Sequence, residues 1–184
     1  VVQGNWIGTN AAGTATLGNR DNGVEVSNNA FGNTIGGAAA GAGNVIAGNA
    51  ARGVFVTGSN TTTIEGNRIG TNAAGTLDWG NATQGVDVND SPDNVIRGNL
   101  ISGNNINGVI LWGDASDRNL VSGNLIGTNA AGTAAIGNTF DGVYIGNGAD
   151  GNVIGGTTAA GRNVLSGNGN DGIVMSNGAD NNTI

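Results

Sequence analysis

The sequence contains no Cys, no His and no Lys, and only one Pro. Without Cys no disulfide can hold the fold, and thiolate nucleophiles are excluded, while the redox compartment stays open. Without His, the Ser-His and Cys-His pairs of covalent catalysis are excluded, as is zinc held by imidazole or thiolate. All six cations are Arg, set against 13 acids for a net charge of −7. No basic patch can therefore hold a phosphate backbone, and nucleic acid is not an expected partner. No apolar run approaches the ~18 residues that would suggest a membrane-crossing helix, so no membrane insertion is expected. The chain opens Val1-Val2 and not on Met, which reads as a mature product or an excerpt of something longer.

What is present is repetition. GNRIGTNAAGT at positions 66–76 recurs almost unchanged at 4–14 and 123–133. A shorter unit, Gly-Asn or Arg-Asn followed by two mostly apolar residues, is centred on Asn5, Asn44, Asn67, Asn99, Asn124 and Asn163. Each is followed by a Gly-Φ-x-Φ run such as Gly53-Val54-Phe55-Val56, then by a third run ending in Ile35, Ile64, Ile96, Val121, Ile154 or Ile184. The runs are short, alternating, rich in Val and Ile, and bounded by Gly, Asn or Asp, which predicts strands. Frequent glycines would each cost a helix about 1 kcal/mol, and no helical periodicity competes.

A fixed order of three strand types favours stacking like on like over hairpin pairing. The expected fold is all-β: a right-handed parallel β-helix, three short strands per coil and about six coils. Coils carrying GTNAAGT alternate with coils that lack it. This gives three two-coil modules, at about 1–62, 63–119 and 120–184, within one uncapped domain, 1–184. Phase-matched ends suggest part of a longer array or an assembly subunit, with copies of the same chain as partners. The six asparagines that open the first strands, Asn5, Asn44, Asn67, Asn99, Asn124 and Asn163, are expected to stack as an amide ladder, since an amide both donates and accepts.

The phrases GNxIGTN, NxIGGxxxGxxN and G-V-x-V resemble the right-handed parallel β-helix repeats of large secreted bacterial surface proteins, within the pectate-lyase-like superfamily. The resemblance covers the whole chain and implies the fold and a secreted or cell-surface location. It does not carry catalysis across. Polygalacturonase-like sites need a His and an Arg-x-Lys, and epimerase-like sites an Asp-Pro-His-Glu, none of which is present.

No catalytic residue, no cofactor and no enzymatic activity is therefore expected. Two features remain as candidate sites. Asp93, Asp117, Asp150 and Asp180 close the turn after the second strand in four successive coils and are candidates for a structural Ca²⁺. The reading preferred over metal is that each accepts hydrogen bonds from its own turn. The outward positions of the second strand, Phe55, Ile110, Trp112, Tyr144 and Val174, form an expected interaction face, broken by Asp87. The expected function is an extracellular scaffold, filament block or adhesin with end-to-end stacking of coils. The alternative is a polysaccharide-binding or degenerate lyase-like module.

Overall fold

The computed structural model describes residues 1–184 as a right-handed parallel β-helix with three strands per coil. The first sheet stacks Trp6–Ile7, Val45–Ile46, Arg68–Ile69, Leu100–Ile101, Leu125–Ile126 and Val164–Leu165 in that order. The second stacks Val24–Val26, Val54–Thr57, Val86–Asn89, Val109–Trp112, Val143–Gly146 and Ile173–Met175. The third stacks Thr34–Gly36, Thr63–Glu65, Val95–Arg97, Leu120–Ser122 and Val153–Ile154. Parallel bridges from Val2 to Ile35 and from Thr183 to Val153 extend the third sheet at both ends.

Register follows from which residues must leave water. Ile46, Ile69, Ile101 and Ile126 pair in sequence down the first sheet and are fully buried. Val54, Val56, Val86, Val88, Val109 and Leu111 do the same in the second. Each such side chain contributes about 1.5–3 kcal/mol by burial, and a one-residue slip would turn all of them outward. At the end coils the equivalent Ile7, Leu165 and Ile173 are only half-buried.

Some corners are made by backbone conformations that leave no room for a side chain. Gly70, which ends the first strand of its coil, has φ +86°, and a Cβ there would lie 2.1 Å from the carbonyl oxygen of Ser102 in the next coil. Only glycine fits both demands.

The GTNAAGT segments are closed loops. Asn10, Asn72 and Asn129 each turn their Oδ1 back onto the amide of the Thr four residues on, at 2.8–2.9 Å. An antiparallel bridge closes each loop at Thr9–Thr16, Thr71–Asp78 and Thr128–Ala135. In the first two the backbone leans on the first sheet: Gly13 lies against the Trp6 ring and Gly75 against Leu100, whereas Gly132 of the third meets nothing within 4 Å. Leu17, in the segment after the first loop, stays 73% exposed and Trp6 48%, so the first loop covers this face only in part.

Candidate functional site

The polar side chains are organised mainly by contacts between coils. Asn44 donates Nδ2 to Asn67 Oδ1 at 2.9 Å, and the same bond continues to Asn99, Asn124 and Asn163 at 3.0–3.1 Å. Each Oδ1 also accepts the backbone N–H of the preceding Asn, and Nδ2 of Asn67, Asn99 and Asn124 reaches a carbonyl of the third sheet. Asn5 joins this column at its exposed end.

Two further ladders occupy the other corners. Asn19, Asn49, Asn81, Asn104, Asn138 and Asn168 are joined by Nδ2–Oδ1 bonds of 2.8–2.9 Å. Asn94, Asn119, Asn152 and Asn182 form the third, at 3.0–3.1 Å. The repeated Gly-Asn pair before the second strand, and an Asn one residue ahead of the third, are the sequence signals for them. Buried amides joined in this way leave few donors unsatisfied, which is what a dry bore requires.

The structure brings the residues of the second-sheet flank into contact with one another. Phe55, Asp87, Ile110, Tyr144 and Val174 are paired in one outward row, and Trp112 lies in the row beside it. Trp112 packs on Tyr144 with ring centroids 5.9 Å apart. The Arg52 guanidinium stacks over Phe55 at 4.2 Å and its Nε donates to Asp87 Oδ2 at 2.7 Å. Asp87, at the break in the apolar row, is buried, and its Oδ1 has no partner.

That burial raises the Asp87 pKa, and the hydrogen bond and charge of Arg52 oppose the shift without cancelling it. With the folded pKa above the unfolded one, the ionised carboxylate costs stability at neutral pH. The native state regains that stability as pH falls through the raised pKa. Asp87→Asn is therefore expected to melt higher than the parent protein at pH 7. The difference should shrink as thermal melts are taken toward pH 4, and a constant difference would contradict the assignment.

The four candidate Ca²⁺ carboxylates do not form one column. Val95 pairs with Leu120, which sets Asp93 opposite Arg118, while Asp117, Asp150 and Asp180 follow one another a residue earlier in the turn. Arg118 forks onto Asp93 with two bonds of 2.9 Å, and its hydrogen bonds hold the Asp93 carboxyl below its ordinary pKa. Asp117 Oδ1 accepts the backbone N–H of Asp150 at 2.9 Å, and Asp150 Oδ1 that of Asp180 at 2.6 Å. These bonds run to the next coil, which corrects the expectation that each Asp caps its own turn. The reason is backbone geometry: Thr61, Asp93, Arg118, Gly151 and Asn181 share one row of left-handed residues, φ 53–64°, which sets the register of the turn. No three of the chain's carboxylates lie close enough together to share a metal ion.

A family model described as "Periplasmic copper-binding protein (NosD)" matches residues 42–147, more than half of the chain. No curated protein and no solved structure matches it. The expectation of no cofactor, with Ca²⁺ as the one possible ion, is corrected by this match, because the family is described as copper-binding. The residues present do not fit that metal. Copper sites favour thiolate, thioether or imidazole donors, and this chain offers only Met175.

Proposed function

The chain belongs to the NosD family, and from that premise we propose that it is a non-catalytic β-solenoid of the periplasm or cell surface, a scaffold extended by head-to-tail stacking of coils. The polarity of the asparagine ladders carries this reading. In the first two ladders donation runs one way, from each coil to the next. Asn5 and Asn19 in the first coil accept nothing on Oδ1, and the backbone N–H groups of Asn163 and Asn168 in the last coil donate to nothing. A further coil, of the same chain or of a second copy, would meet these groups in register, beside an apolar rim of Val2, Ile7 and Val24 on one side and Leu165, Ile173 and Met175 on the other.

A contact between two different surfaces of one chain, repeated coaxially along the solenoid, does not close into a ring and propagates as a filament. Parallel ladders along the axis would make such a rod stiff. Sedimentation velocity over rising protein concentration should show growing species, and Val24→Lys at the rim should suppress them by placing charge at the junction. A single monomer mass at every concentration would remove the proposal. No helix is long and apolar enough to cross a membrane, in keeping with this reading.

A further inference from the structure

We infer that the corner groove around Arg68 is a binding site for a monoanionic carboxylate. Arg68 interrupts an apolar row of the first sheet, paired with Val45 on one side and Leu100 on the other. Three other arginines, Arg52, Arg97 and Arg118, are each paired with an acid. The Arg68 side chain makes no hydrogen bond and no ion pair, and its Nε is buried without a partner. The nearby Glu65 does not supply one, because both its oxygens are held by Arg97 at 2.9 and 3.1 Å.

The groove exists because the middle module is shorter. The first and third modules carry an insertion at this corner, positions 36–43 and 155–162, and the middle module has none. In the structure the carbonyl of Gly37 abuts Gly66 and that of Ala160 abuts Gly123, while a Cβ on Gly98 between them would meet nothing within 4 Å. The first insertion thus walls one side of a gap over Gly98, and Gly123, Leu125 and Ala130 line the other. Two clefts of about 270 and 350 Å³ meet there and share Gly66, Arg68 and Gly98. That size is at the lower end for small-molecule sites.

The chemistry of the gap selects the ligand. A guanidinium offers a planar fork that matches a carboxylate through two parallel bonds. Arg68 is the one unpaired cation lining these clefts, on a chain of net charge −7, which favours one negative charge over the two of phosphate. A floor of glycine backbone lets a flat group approach closely.

The test is an NMR titration of the intact chain, following the Arg68 Nε–Hε signal at constant ionic strength. Sodium acetate should give a saturable shift, and acetamide, its neutral counterpart of the same shape, should give none. Arg68→Leu should abolish acetate-dependent shifts at Gly66 and Gly98, and Arg68→Lys should weaken them by removing the fork. Arg68→Leu should also melt higher by ~2–4 °C, since it matches Leu100 and removes an orphaned donor. This shows that loss of binding is not loss of fold. Equal shifts with acetamide, stronger binding of phosphate, or acetate shifts that persist in Arg68→Leu would each overturn the site. None of these readouts depends on coil stacking.

Discussion

Asn99→Ala should lower stability by about 4 kcal/mol and Tm by roughly 12 °C. Asn99 Oδ1 accepts the backbone N–H and Nδ2 of Asn67 at 2.9 and 3.0 Å, and its Nδ2 donates to the Ile64 carbonyl and to Asn124 Oδ1 at 2.9 and 3.1 Å. Removing the amide leaves the buried Asn67 N–H without its acceptor, at about 1–3 kcal/mol, and takes one bond each from Asn67 Nδ2, the Ile64 carbonyl and Asn124 Oδ1, at about 1 kcal/mol apiece. Asn99→Asp should be no gentler at neutral pH: it keeps the acceptor, loses the donor and buries a charge. Asn5→Ala supplies the control, because Asn5 stands exposed at the end of the same ladder. Calorimetry of the three variants decides the matter. A loss below about 1 kcal/mol for Asn99→Ala would mean that the ladder contributes little to the fold.

Gly80→Ala should cost about 3 kcal/mol or more, for a different reason. The φ of Gly80 is one that alanine tolerates, but its Cβ would sit 1.9 Å from the carbonyl oxygen of Gly103 and 2.9 Å from its carbon. The obstacle is backbone of the next coil, so relief requires prising two coils apart, against the ladder bonds on either side. Gly98→Ala isolates the conformational contribution: φ is +62° and no atom lies within 4 Å. It should cost only ~1–2 kcal/mol, the penalty for a left-handed residue with a side chain. Thermal melts that place Gly98→Ala below Gly80→Ala would show that close backbone contact does not set the coil spacing here.

The sequence by itself determined the winding. Three strand types in an invariant order can satisfy one another only by stacking like on like, and the Val and Ile positions within Gly53–Val56 or Gly108–Leu111 already show which side faces inward. The Gly-Asn pairs before the first strands likewise mark where amides can meet, and the same pair at Gly48-Asn49 and Gly103-Asn104 becomes a second ladder once the coils stack. Tertiary structure decided what depends on turn register. Asp93 reads in sequence as the partner of Asp117, but the turn's row of left-handed residues sets it opposite Arg118. The missing insertion in the middle module is visible in the sequence, yet only the folded chain shows that it opens a groove beside Arg68. Burial repeats with the strand and survives changes in loop length, whereas polar contacts at a corner shift with every residue added or lost between strands.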